Sequence, residues 1–146
     1  MATSLVPVEE ALRQLLDGAE PVDPETVALA DAAERVLVDP GDALFGCWAR
    51  ASALLARQSL ETAMDRLWRT RAPLVVHCST TSQLLVLPSY LRDQEAARDA
   101  SYAWSALSRA CHHHAYELPP TASELRALIA LTRRVATAIE AATTPL

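Results

Sequence analysis

The stretch that decides the fold is residues 43–70, ALFGCWARASALLARQSLETAMDRLWRT. Its apolar side chains recur every three or four residues, which is the spacing of one face of an α-helix. This apolar face comprises Ala53, Ala56, Leu60, Ala63, Met64 and Leu67. The stretch therefore predicts one long amphipathic helix, with Asp42 as its N-terminal cap, that buries the apolar face against other helices.

Helical spacing and capping signals extend outward from this stretch in both directions. The further predicted helices cover 7–17, 24–38, 80–91 (ended or kinked by Pro88), 94–117 and 122–142. Their predicted N-terminal caps include Asp23, Ser79, Asp93 and the capping box of Thr121 with Glu124. The apolar run at 74–78 has no partner strand, so we expect an extended connection there.

The composition also favours helices. The chain has 146 residues, enough for one buried core, and its three glycines are too few for the many turns of an all-β sandwich. We therefore predict an all-α protein with two parts. Residues 43–146 form an up-and-down helical bundle, and residues 1–42 form an acidic helical N-terminal arm.

The arm and the bundle differ in charge. Residues 1–42 carry ten acidic residues and two arginines, whereas residues 43–146 carry eight acidic residues and eleven arginines. The two surfaces either attract each other or are both solvated. All 13 basic residues are arginine, which we interpret as the mark of a GC-rich bacterial genome.

The cysteines and the hydropathy pattern indicate a cytoplasmic protein. Cys47, Cys78 and Cys111 form no CxxC pair, and no export signal precedes them, so we expect reduced thiols. Cys47 and Cys78 are predicted to be buried. No apolar window reaches the roughly 18 residues that a membrane span needs, so no membrane contact is expected.

The residues that carry chemistry concentrate at 109–116, RACHHHAY. This stretch holds three of the four histidines, and a neutral imidazole suits proton transfer near pH 7. It falls at the C-terminal end of a predicted helix, where the helix dipole favours cations. We therefore place the candidate site here.

Arg109-x4-His114-x-Tyr116, late in a helix of an all-α bundle, resembles the Arg-x4–6-His motif of the HEPN superfamily. The alanine- and leucine-rich helix at 49–67 is similar to the first helix of HEPN domains. The resemblance covers residues 43–142. Members of this family are commonly metal-independent endoribonucleases of toxin–antitoxin, antiphage and CRISPR systems, and others have lost catalysis and bind partners.

The resemblance implies that two protomers bring their motifs into one cleft and cut RNA by attack of its 2′-hydroxyl. His114 would act as base or acid, Arg109 would clamp the phosphate, and Tyr116 would contact the phosphate or orient the histidine. No metal or cofactor is expected. The implied partners are RNA, a second copy of the chain, and a cognate antitoxin or nucleotidyltransferase-type protein.

Helix geometry leaves the partner of Arg109 open. Residues five apart lie about 140° apart around a regular helix, so Arg109 and His114 converge only where the helix ends, distorts or meets a dimer axis. On an unbroken helix, His113 is the better partner. The face shared on such a helix holds Tyr102, Ser105, Arg109, His112, His113 and Tyr116, of which Tyr102, Ser105 and His112 are candidate substrate contacts.

Other interpretations remain beside the nuclease. Ala110 stands where HEPN proteins usually carry a polar residue, which favours a non-catalytic module that binds a protein partner or a nucleotide. Cys111 and the histidines are metal-ligand types, but they lack a paired ligand spacing. The arginines between 50 and 71 either extend a phosphate-binding groove or form a solvated face.

Overall fold

The computed structural model describes residues 22–44, 46–112 and 116–144. These residues form five α-helices and no strand, so the predicted all-α fold is confirmed. The helices are α1 Pro24–Val38, α2 Trp48–Arg71, α3 Thr80–Val86, α4 Gln94–Cys111 and α5 Ala122–Thr143. The predicted helix at 7–17 lies outside the described residues.

Hydrogen bonds between α1 and α2 show that these two helices are antiparallel. The hydroxyl of Ser59 donates to the carbonyl of Thr26 at 2.7 Å, and that of Ser52 donates to the carbonyl of Ala33 at 3.0 Å. Because the earlier residue of α1 bonds to the later residue of α2, the two helices run in opposite directions. Both hydroxyls are buried, so these bonds satisfy groups that water does not reach.

The bundle continues in the same alternating sense through α4 and α5. The indole Nε1 of Trp104 donates to Glu61 at 3.1 Å, while Leu107, further along α4, packs with Ala53, which is earlier in α2. The start of α4 then lies beside the end of α5 at Ala142. The four long helices therefore run alternately up and down, with short α3 inserted between α2 and α4.

Two buried apolar clusters hold the long helices together. One contains Leu107, Leu125 and Ile129 with alanines of α1 and α2, and the other is built around Trp68 and Ile139. Full burial of side chains of this size stabilises the fold by about 1.5–3 kcal/mol each. Alanines at the facing positions of α2 and α4 let these helices approach closely.

The described part of the N-terminal arm packs on the bundle through ion pairs. Arg66 contacts Asp23 and Glu140, which joins the start of α1 to α2 and α5. On the surface, Arg133 bridges Asp31 and Glu34. Of the two alternatives for the charged surfaces, these pairs show attraction between α1 and its neighbours, and the described residues do not decide it for the rest of the arm. The division into two domains at residue 42 stays a prediction.

The predicted capping residues account for most helix starts. Asp23, Ser79 and Asp93 each accept a hydrogen bond from the backbone N–H three residues later, and Thr121 forms the complete capping box with Glu124. Each cap satisfies a backbone N–H that has no partner within its helix. The bounds predicted for α1 agree with the structure.

The start of α2 differs from the prediction. Asp42 begins a separate 3₁₀ turn, Asp42–Leu44, and α2 starts only at Trp48 after Cys47, which makes no side-chain cap. Gly46 has a φ of 87°, a left-handed conformation that interrupts a right-handed helix. Gly46 therefore separates the 3₁₀ turn from α2, although the apolar spacing of the sequence predicted one continuous helix.

Residues 74–78 are also different from the prediction. They are not extended: a 3₁₀ helix covers Pro73–His77. Pro73 presets the first φ of this turn, and the side-chain amide of Gln83 donates to the carbonyls of Val75, Val76 and Cys78 at 3.1–3.3 Å. Gln83 belongs to the next helix and satisfies these carbonyls. In an extended segment, the same carbonyls would need a neighbouring strand as a partner.

The predicted helix at 80–91 is divided at Val86. The α-helical part ends there, and a 3₁₀ turn, Leu87–Ser89, follows with Pro88 inside it. This agrees with the expected effect of Pro88, because proline removes a backbone donor and restricts the residue before it.

Candidate functional site

Helix α4 ends earlier than predicted, inside the histidine cluster. Its last residue is Cys111, and His112 takes the non-helical angles φ −99° and ψ 60°. The backbone N–H of His112 donates to the carbonyls of Ser108 and Arg109 at 3.1 and 3.2 Å. Histidines are weak helix formers, and the chain must leave the helical path before Pro119. The six-residue face predicted for an unbroken helix is therefore interrupted after Cys111.

His113 and His114 lie outside the described residues, so the predicted alternatives for the partner of Arg109 both stay predictions. Arg109 itself projects from the last turn of α4 and is exposed. Tyr116 is fully exposed beyond the helix. Ser105 and His112 are exposed as well.

Arg109 lines a cavity of about 760 Å³ between α4 and α5, which we call the Arg109 cavity. Tyr102, with 61% of its surface exposed, lines the same cavity two turns earlier on α4. Tyr102 and Arg109 therefore line one cavity from the same helix. Among the described residues, Ser105, His112 and Tyr116 do not line this cavity.

The Arg109 cavity carries both signs of charge. Arg109 and Arg134 line it together with Glu117 and Glu124. Hydrogen bonds from the backbone N–H and hydroxyl of Thr121, at 2.7 and 3.0 Å, lower the pKa of the Glu124 carboxyl, which stays ionised at neutral pH. Sequence reasoning missed both carboxylates because they come from a different helix and from the connection before it.

The floor of the Arg109 cavity is apolar. Small side chains of α4 and α5 form it, and Leu118 and the two prolines close one end. The apolar lining residues are Ala106, Ala110, Leu118, Pro119, Pro120, Ala127, Leu128 and Leu131. Leu118 is 96% exposed. An apolar floor with charged edges is a common lining for a ligand or peptide groove.

Cys111 lies beside the motif but is a poor nucleophile. Burial raises the pKa of its thiol, and the positive charges of Arg57 and Arg50 oppose this only in part. The thiol is therefore neutral near pH 7, whereas thiol chemistry needs the thiolate. The other two cysteines, Cys47 and Cys78, are exposed, which corrects the prediction that they are buried. Both lie in segments between long helices, where little of the bundle covers them.

The opposite side of α4 is held by a polar contact with α2. Glu61 accepts the hydrogen bond from Trp104 and also lies 3.4 Å from Arg57. This contact, together with the buried face of α4 at Ala100, Ala103 and Leu107, turns Tyr102 and Arg109 away from α2. Trp104 therefore has a structural role in positioning the candidate site.

A second cavity, of about 620 Å³, lies at the other end of the α4–α5 pair. We call it the Arg92 cavity. Arg71, Arg92 and Arg134 line it, together with Asp93, Tyr90 and small residues of α5. Of the arginines between 50 and 71 considered for a phosphate groove, Arg71 lines this cavity, whereas Arg57, Arg66 and Arg69 pair with carboxylates.

The described residues lack two features, a cluster of metal ligands and a membrane-spanning helix. These residues include no group of three side chains that could hold a metal ion. None of their helices is long and apolar enough to cross a membrane.

Fold and cavities together define an all-α helical bundle with a groove between its last two long helices. No protein-family model, curated protein or solved structure matches this chain. The resemblance to HEPN domains therefore stays a prediction from the sequence of residues 109–116 and of the helix at 49–67.

Proposed function

We propose that the protein is a HEPN-like, metal-independent endoribonuclease that acts as a homodimer. The observation that supports this most is the end of α4 at Cys111, between Arg109 and His114. On a continuous helix these two side chains would diverge by about 140°. A chain that leaves the helix between them is free of that restriction.

The proposed reaction needs only side chains of the chain itself. One imidazole removes the proton from the 2′-hydroxyl of RNA, and the resulting oxygen attacks the adjacent phosphorus. A second imidazole donates a proton to the leaving 5′-oxygen, so the products are a 2′,3′-cyclic phosphate and a 5′-hydroxyl. His114 of the two protomers supplies these roles in the proposed site, with His113 as the alternative.

Arg109 has the geometry to stabilise the charged phosphorane. A guanidinium offers a planar fork of donors that matches phosphate oxygens, and Arg109 is exposed at the helix end. Tyr102 beside it offers an exposed ring on which an RNA base can stack. We assign Ser105 and His112 to secondary substrate contacts, and we assign Tyr116 to a contact with the phosphate or to orienting the histidine.

The biological setting that fits this activity is a bacterial toxin–antitoxin or antiphage system in the cytoplasm. A toxic nuclease needs a partner that restrains it, and an antitoxin or nucleotidyltransferase-type protein is the proposed class. The apolar floor beside Leu118 offers a surface for such a protein.

A second candidate function is supported by the carboxylates of the Arg109 cavity. Glu117 and Glu124 reduce the attraction of this cavity for RNA phosphates, and Ala110 lacks a polar group to orient Arg109. A non-catalytic HEPN-like module would use the same groove to bind a protein partner or a nucleotide.

Cleavage of labelled RNA in excess EDTA tests the proposal. We expect the wild type to yield 2′,3′-cyclic phosphate ends. His114→Ala should lower the rate roughly 10²–10⁴-fold, because a proton-transfer group is lost. His77→Ala is the matched control, since His77 is exposed on the 3₁₀ turn between α2 and α3, away from Arg109. Unchanged cleavage by His114→Ala and by His113→Ala would rule out the assigned site.

The composite dimer has its own test. If the arginine and the histidine of one site come from different protomers, mixing inactive Arg109→Ala with inactive His114→Ala restores part of the activity. A mixture that exchanges subunits and stays inactive contradicts this arrangement. Absence of cleavage by the wild type, with capture of a protein or nucleotide in the groove, favours the non-catalytic module.

A further inference from the structure

The Arg109 and Arg92 cavities adjoin each other at α5, and we call the two together the groove. Arg134 of α5 lines both of them. One end is set by Arg109 in the last turn of α4, and the other by Arg92 just before α4 begins. The 18 residues of α4 span about 27 Å between these two ends, at about 1.5 Å per residue.

The excess positive charge of this groove lies at the end remote from the histidine cluster. Three arginines line the Arg92 cavity against one acidic residue, Asp93. The carboxylate of Asp93 accepts the backbone N–H of Ala96 at 3.1 Å and is thus engaged in capping α4. In the Arg109 cavity, by contrast, two arginines face two glutamates. A polyanion is therefore attracted more strongly to the Arg92 cavity.

Within the part of the chain that the structure describes, the arginines of the groove differ from others in having no ion pair. Within the described residues, Arg71, Arg92, Arg109 and Arg134 contact no carboxylate within salt-bridge distance, whereas Arg57, Arg66, Arg69 and Arg133 do. Arg71 is positioned by its hydrogen bond to the carbonyl of Ala142 at 2.9 Å. Among the described residues, most of the guanidinium donors in the groove thus have no partner and are open to a ligand.

We propose that the Arg92 cavity is a phosphate-binding subsite that anchors single-stranded RNA, so that anchoring and cleavage occupy opposite ends of one groove. This inference rests on the proposed ribonuclease function. Two cavities that are lined by arginines and separated by the length of α4, about 27 Å, match a polymer of phosphates better than one small anion.

Binding, measured without cleavage, tests the subsite. The probe is a fluorescent 2′-O-methyl oligoribonucleotide of about 16 nucleotides, which lacks the attacking hydroxyl. Arg92→Ala/Arg134→Ala should lower its affinity about tenfold. The slope of log affinity against log salt should become shallower by about 1.4, which is 0.7 for each of two lost contacts. The matched control is Arg126→Ala, because Arg126 is exposed on α5 and lines neither cavity.

Probe length separates this subsite from the cleavage end. A probe of about 4 nucleotides does not reach from Arg109 to Arg92, so the wild type should prefer the longer probe and Arg92→Ala should lose that preference. If Arg92→Ala and the double variant bind the long probe like the wild type while cleavage persists, the subsite is wrong and the nuclease stands. If the wild type neither binds nor cuts RNA, both proposals are overturned.

Discussion

The inner and outer sides of α5 use the same side-chain types in different ways. On the inner side, Glu140 is buried and accepts a hydrogen bond from Arg66 at 3.2 Å, and Arg66 also contacts Asp23. On the outer side, Arg134 is exposed and, within the described residues, has no carboxylate partner. An arginine paired with buried carboxylates is committed to the fold, whereas an exposed, unpaired one keeps its donors for a ligand.

The two sides also differ in how their apolar residues are used. Leu107 and Ile139 are fully enclosed between helices, and their burial stabilises the bundle. Tyr102 and Leu118, on the groove side, leave most of their surface exposed. We therefore expect substitutions on the inner side to change stability, and substitutions on the groove side to change binding and catalysis.

Leu107→Ala should give the largest change in stability. Its side chain is fully buried, so the truncation leaves a cavity and lowers the free energy of unfolding by about 3 kcal/mol. Tyr102→Ala, five residues earlier on the groove side, should cost less than about 1 kcal/mol. Urea unfolding followed by circular dichroism measures both. A similar loss in the two variants would show that α4 does not separate a core side from a groove side.

Arg66→Met should give the next largest loss of stability. It leaves the buried carboxylate of Glu140 without its cation, while the methionine keeps the apolar stem. We expect a loss of about 2 kcal/mol, below the range for fully buried pairs because the Arg66 side chain is 39% exposed. Arg134→Met should change stability by no more than about 0.5 kcal/mol.

RNA affinity should respond to these two variants in the opposite order. Arg134→Met weakens binding, and folded Arg66→Met does not, because Arg66 lines neither cavity. An equal loss of affinity in both would mean that the ion-paired side of α5 also takes part in binding.

The pH dependence of stability should show the smallest difference between the two sides. Burial raises the pKa of Asp23, but hydrogen bonds from Thr26 and Arg66 and the Arg66 charge outweigh it, so the pKa is lowered. A carboxyl with a lowered pKa stabilises the fold above its unfolded value of about 3.9, and this contribution is lost as the pH falls through the folded value.

The stability advantage of the wild type over Asp23→Asn should therefore be full at pH 6 and shrink below about pH 4. Glu124→Gln is the matched variant on the groove side. The pKa of Glu124 is lowered by Thr121 alone, without an arginine. The stability that wild type loses in acid relative to Glu124→Gln should therefore be smaller. Thermal melts across this pH range compare the two. A difference between wild type and Asp23→Asn that persists at low pH contradicts the role of Asp23.

Much of the helical structure could be predicted because its causes are local. The caps at Asp23, Asp93 and Thr121 act within three residues, and apolar spacing marks the buried face of each helix. The prediction failed where a single residue or a distant side chain sets the backbone conformation. Gly46 interrupts the start of α2, and Gln83 stabilises a 3₁₀ turn at residues 73–77 that the β-branched sequence did not indicate.

The candidate site was only partly predictable for the same reason. Tyr102 and Arg109 lie seven residues apart on one helix, so their common face follows from helical periodicity. The cavity at the other end of the groove draws Arg71, Arg92 and Arg134 from three separate segments. No spacing along the chain relates these three arginines.

The amino-acid sequence by itself determined an all-α bundle, the starts of most helices, and the cluster at residues 109–116, because these depend on interactions within a few residues. Only the tertiary structure decided which arginines are used in ion pairs and which line the groove. That distinction depends on the antiparallel packing of α4 against α5 and on the carboxylates that each packed helix brings. Arg133 and Arg134 are neighbours in the chain, yet one bridges Asp31 and Glu34 while the other lines both cavities.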